Sequence, residues 1–203
     1  MSPAFKEWHV IVEALGAGEQ ILILRKGGIA EDGGGFAVKA GKFWLFPTHF
    51  HEQLAQTKPA AKKFFDRAGG VPPGLRSLGE EDPSRNDSSI NLRYCAEVVQ
   101  QAFLSDWAAV ARLDAFHLWS EETVRGRFNW AQSPGLHALA VRVHRLVQPA
   151  LLEVTPEMSG CKSWVDVPLD FAAHASDPVL DDATFAKKLE ELSGRIRAIR
   201  GRN

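Results

Sequence analysis

The chain is poor in cysteine, carries no surplus of either charge and has no long apolar run, and each shortage removes a class of protein. Cysteine occurs only at Cys95 and Cys161, in no CxxC pattern. That excludes a disulfide framework and a cysteine zinc site, and it points to a reducing compartment. Lys and Arg total 24 against 25 Asp and Glu, so the net charge of −1 provides no global field to attract nucleic acid or an anionic membrane. Any such binding must be local. No apolar run approaches the roughly 18 residues that span a bilayer, so the expected location is the cytoplasm, away from the membrane. A P-loop, an HExxH helix and an E-x-K triplet are all missing.

What is present is ordinary for a globular protein: 45% hydrophobic and 24% charged residues in 203, enough for one core and too little for two full domains. Ser2 and Pro3 read as a helix start, with Phe5, Trp8, Ile11, Val12 and Leu15 recurring at helical spacing up to Gly16 and Gly18. The run QILILRK, residues 20–26, reads as a buried strand ended by Gly27 and Gly28. Residues 36–40 and 42–46 follow as strand pieces, closed by Pro47. Residues 48–67 look helical but broken at Pro59.

A stretch rich in Gly, Pro and Ser at 69–89 reads as a long loop. Beyond it, residues 90–98 alternate as a half-buried strand, and a helix is expected at 106–113. Ser120, Glu121 and Glu122 open another, with Val124 and Phe128 facing inward. Leu136–Val147 and Ser163–Val167 read as strands. The last helix spans 181–200 with Phe185, Leu189, Leu192, Ile196 and Ile199 in one stripe. The order is mixed α+β, without the regular βαβ alternation of a doubly wound fold. The expected division is a domain over 1–170 and a C-terminal helical extension over 171–203.

Chemistry-bearing residues fall into four clusters. Arg25 and Lys26 stand where a strand emerges, followed by Gly27 and Gly28 with approachable backbone N–H groups, a combination able to hold a phosphate or carboxylate. His49 and His51, two apart in an extended segment, are weak metal candidates that would need His117 or Glu52 as a further ligand. His117, Trp119, Ser120, Arg125 and Arg127 put an imidazole, an indole, a hydroxyl and two guanidiniums in about a dozen residues, suited to a base or nucleotide. The alternative is that Trp119 fills the core while Ser120 caps a helix. Lys162 and Trp164 flank Ser163 after Cys161, whose thiol a neighbouring lysine could activate. No cofactor is implied.

The segments EWHVIVEALGAGEQILILRKGGI, FWLFPTHFHEQ, FHLWSEETVRGRFNW and GCKSWVDV together resemble a prokaryotic family known as domain of unknown function 1802. The resemblance implies no activity, but it makes those four segments the family's hallmarks. More distantly, the opening helix, Gly18 and a strand ending at Arg25 are similar to the start of ASCH domains, a PUA-like branch with the pattern G-x-K-[ST]-x-E-x-R. Gln20 and Ile23 replace its lysine and glutamate. This resemblance implies a partly open, mixed PUA-like β-barrel with flanking helices and a C-terminal helix. It also implies binding of RNA, single-stranded nucleic acid or a modified nucleotide, with Arg25 as the matched residue. A metal-dependent hydrolase or nuclease, and an interaction module without catalysis, are the alternatives.

Overall fold

The computed structural model describes residues 1–26, 40–48, 53–66, 89–130, 133–160 and 162–200. Among these residues seven strands form one mixed sheet in the order β2-β5-β4-β3-β1-β6, with β7 on the far half of β5. The strands are β1 (Ser2–Trp8), β2 (Leu22–Arg25), β3 (Lys42–Thr48), β4 (Ser89–Leu104), β5 (Leu136–Glu153), β6 (Trp164–Val167) and β7 (Ser176–Pro178). The helices are α1 (His9–Gly16), α2 (Lys62–Asp66), α3 (Trp107–Ala111), α4 (Glu121–Asn129) and α5 (Asp182–Arg200). Only β1 and β3 run parallel; the other pairs are antiparallel. Long β4 and β5 form the spine, and register shifts between Leu92 and Tyr94 and between Val98 and Gln100 bend it.

The sheet curls without closing. β2 and β6 are its two ends, yet Arg25 Nε donates to Ser163 Oγ at 3.1 Å, so side chains span the seam that no backbone ladder closes. The curl encloses one face. Successive strand residues point to opposite sides, and Phe5, Phe43, Leu45 and Trp164 enter the main core while Ala4, Trp44, Phe46 and Val165 enter a second one on the other face. Met158 lies in that second core and Phe171 packs against it, stacking on Trp44 with ring centroids 4.6 Å apart.

Three local expectations are corrected. Residues 2–8 form a strand, and the helix begins only at His9. Proline after a hydroxyl is compatible with a helix start, but Ala4–Trp8 pair with β3 on one side and Ser2–Phe5 with β6 on the other, burying residues on both faces. That pairing overrides local propensity. Pro47 does not close β3, because the strand continues to Thr48. β4 pairs only with Lys42–Trp44, so Pro47 stands opposite Glu7 with a neighbour on one side alone, where a missing N–H is tolerated. Pro59 likewise begins a helical turn, Pro59–Ala61, that leads into α2.

Other elements follow the pattern. α1 is buried all round, as a central helix must be, and Gly18 at φ 69° supplies the left-handed turn that releases the chain into β2. Ser120 Oγ accepts from Thr123 N at 3.2 Å and caps α4, with Val124 and Phe128 buried as expected. β4 and β5 both run longer than their alternation suggested. Phe185, Leu192 and Ile196 of α5 join the main core. Of the expected strand piece at 36–40 and loop at 69–89, residues 36–39 and 69–88 lie outside the described residues; Ala40 is in no strand and Ser89 opens β4.

Candidate functional site

A cleft of about 690 Å³ opens beside the end of β2, lined by Arg25, Lys26, Gln56, Thr123, Arg127 and Trp130 among others. Its parts come from three places. β2 delivers Arg25 and Lys26 as it leaves the sheet. α4 turns Thr123, Gly126, Arg127 and Trp130 toward the cleft at i, i+3, i+4 and i+7, a single helical face, on which Gly126 leaves open space. The segment at 53–58 docks along 117–120: Lys58 N donates to Leu118 O at 2.8 Å, Ser120 N to Gln56 O at 3.0 Å and Thr123 Oγ1 to Gln56 O at 2.8 Å.

The cations are held firmly. Arg25, besides its bond to Ser163, lies 5.3 Å from the Phe5 ring and 4.0 Å from Glu7 Oε2. Lys26 Nζ donates to Phe128 O at 3.3 Å and to Ser133 O. Its position against the protein surface lowers its affinity for a proton through loss of hydration. Arg127 donates to Leu24 O at 3.3 Å and lies 4.6 Å from the Trp8 ring and 5.0 Å from the Trp119 ring. Desolvation pushes it down to about 10, with Glu7 opposing and Arg25 adding to the shift. It keeps its charge at neutral pH.

Glu7 lies beneath this group with its side chain fully buried. Oε1 accepts from Trp8 N at 2.8 Å, whereas Oε2 has no hydrogen bond among the described residues. His117 is also buried, with Nδ1 unbonded among those residues. Burial first, then the charge of Lys58, pushes its imidazole down to about 4, against a smaller opposing effect from Asp114. It is neutral at physiological pH, 5.6 Å from the Trp119 ring.

Arg25, Lys26, Ser120 and Arg127 therefore converge. Trp119 forms a wall behind them, wholly buried. His117 is buried as well and does not line the cleft. Arg125 turns outward, bonded to Glu121 Oε1 at 3.0 Å and stacked 4.1 Å from the Trp107 ring. Lys162 is exposed away from the lining, and Trp164 is core, edge-on to Phe5 at 5.0 Å and Phe43 at 5.2 Å. Gly27, Gly28, His49, His51 and Cys161 lie outside the described residues. Among the described residues no group of three or more His, Cys, Asp or Glu is arranged to hold a metal.

Sequence reading missed Glu7, Gln56, Thr123 and Trp130. The spacing of Thr123, Gly126, Arg127 and Trp130 was a usable signal, since these fall on one face of a helix whose opposite face carries Val124 and Phe128. Glu7 had none, because the spacing of residues 2–15 reads as one helix, whereas Glu7 belongs to β1, between β3 and β6, and meets Arg25 only through the curl of the sheet.

The crystal structure of ASCH from Zymomonas mobilis is similar over 94% of both chains, at 10% identity and a TM-score of 0.43. Two single-residue mutants of that protein match similarly, one at 10% identity over 94% of both chains with a TM-score of 0.46. The other is 11% identical over 94% of this chain and 96% of that one, with a TM-score of 0.45. No curated protein matches the sequence. The family is shown by a match over residues 4–191, nearly the whole chain: the protein belongs to the domain of unknown function family DUF1802.

Proposed function

We propose that the protein is a binding module for a nucleotide-like ligand or a short stretch of single-stranded nucleic acid, RNA foremost, held in the cleft beside β2. The observation that carries this reading is the convergence of Arg25, Lys26 and Arg127 from two distant segments onto one cleft with Trp130 in its wall. Guanidinium and ammonium groups recognise phosphate, and an exposed indole offers a stacking face to any base. Trp130 is 56% exposed, unusual for an indole with a core beside it.

Size and charge narrow the ligand. About 690 Å³ is the scale of a small-molecule site, and a net charge of −1 provides no global field that would favour long duplex DNA. A nucleotide or a few unpaired residues fits both. The reading takes the cytoplasm as the compartment, supported by Cys95 being a buried free thiol.

Titration with short single-stranded RNA and DNA at two salt concentrations tests it. Saturable binding that weakens with salt is expected. Absence of saturable binding to either polymer and to mononucleotides overturns it.

A further inference from the structure

The geometry points to a terminal phosphate, a phosphomonoester, as the group seated between Arg25, Lys26 and Arg127. This rests on the nucleotide-binding reading above and names the end of the ligand that the cleft recognises.

Charge is the first argument. Among the described residues the seat holds three cations against one buried carboxylate, Glu7, and no carboxylate comes within ion-pair distance of Lys26 or Arg127. Glu122 lines the cleft but is exposed, where water screens it. Cations partly removed from water need a counter-charge. An internal phosphodiester brings one negative charge, whereas a monoester brings about 1.5 to 2 at neutral pH and so matches the excess of about two.

Donor geometry is the second. Lys26 uses its ammonium on the carbonyls of Phe128 and Ser133, and three donors on that group leave one for a ligand. Arg127 gives one nitrogen to Leu24 O, and Arg25 gives Nε to Ser163 Oγ, so each guanidinium is fixed by one bond and retains donors on its other nitrogens. Anchoring by backbone carbonyls, by a buried serine and by the Trp8 and Trp119 rings means little ordering remains to be done when an anion arrives. A terminal phosphate offers three unesterified oxygens to three such groups; an internal one offers two.

The test is fluorescence anisotropy with a short single-stranded RNA in four forms: 5′-phosphate or 5′-hydroxyl with the dye at the 3′ end, and 3′-phosphate or 3′-hydroxyl with the dye at the 5′ end. Competition by a nucleoside 5′-monophosphate and by the unphosphorylated nucleoside shows whether the free nucleotide suffices. One phosphorylated end should bind ~10-fold tighter than its hydroxyl counterpart, and the monophosphate should compete where the nucleoside does not. Lys26→Met should reduce that preference to about twofold; it is the primary variant, because Lys26 lies at the strand end and its loss spares the core. Arg127→Met should do the same, with a melting curve to confirm that it folds. Equal affinity for phosphorylated and hydroxyl ends overturns the terminal-phosphate seat while leaving the nucleotide-binding reading intact. No binding of any form overturns both.

Discussion

Arg25, at the end of β2, donates from Nε to Ser163 Oγ, immediately before β6, at 3.1 Å, and so ties together the two end strands of an open sheet. The same guanidinium lines the cleft, so the proposed ligand site lies at the open seam of the sheet. Ser163 is 1% exposed, so when its hydroxyl is removed water has little access to replace it as the acceptor for Arg25 Nε. Ser163→Ala is expected to cost ~1 kcal/mol of stability, read from denaturant unfolding, and to weaken ligand binding by loosening Arg25. An unchanged affinity would mean that Arg25 is positioned by Phe5 and Glu7 alone.

Trp130 should act by stacking. Trp130→Ala is expected to weaken binding of a single-stranded RNA by ~1–3 kcal/mol with little effect on folding, since the side chain is largely exposed. Measured against salt, that loss should be nearly constant. Lys26→Met, in contrast, should lower the slope of log affinity against log salt by about one.

His117 makes stability depend on acid. Its folded-state value near 4 lies below the ordinary 6.5, so between those limits the unfolded chain binds the extra proton. The contribution is complete above about pH 6.5 and falls as the pH drops toward 4, by at most ~3 kcal/mol. His117→Gln should flatten the difference in urea midpoint between pH 7 and pH 4.5. Parallel pH profiles for the two proteins would place the acid sensitivity elsewhere.

Gly16 is required by contact rather than by backbone angle. A Cβ there would stand 2.1 Å from the Tyr94 ring. Gly16→Ala is expected to cost ~1–3 kcal/mol or more, and the cost should shrink in a Tyr94→Ala background, a coupling readable from a double-mutant cycle.

Leu192 measures how far α5 belongs to the core. It is fully buried beside Phe185 and Ile196, so Leu192→Ala should lose ~2–5 kcal/mol, whereas substitution of exposed Glu191 should change stability by less than ~0.5 kcal/mol.

Much of this protein was legible in local pattern. Alternation marked β4 and β5, the Ser120 cap and the acidic turn after it marked α4, and the stripe through Phe185, Leu192 and Ile196 marked α5, because each is written by neighbours a few residues apart. The hallmark segments also identified Arg25, Lys26 and Arg127 as chemically notable. Residues 2–8 misled, because their helical spacing is as real as their strand pairing and only the ladders to β3 and β6 decide between them.

The composition, the order of most elements and the local character of the charge were set by the chain's own residues, through burial period, caps and turn residues. Which cations meet was decided by the fold. Arg25 and Arg127 are about a hundred positions apart, and Arg125, two residues from Arg127, points away. Their convergence depends on the curl of the sheet and the docking of α4 across the end of β2, which arise from long-range packing that no local window of sequence contains.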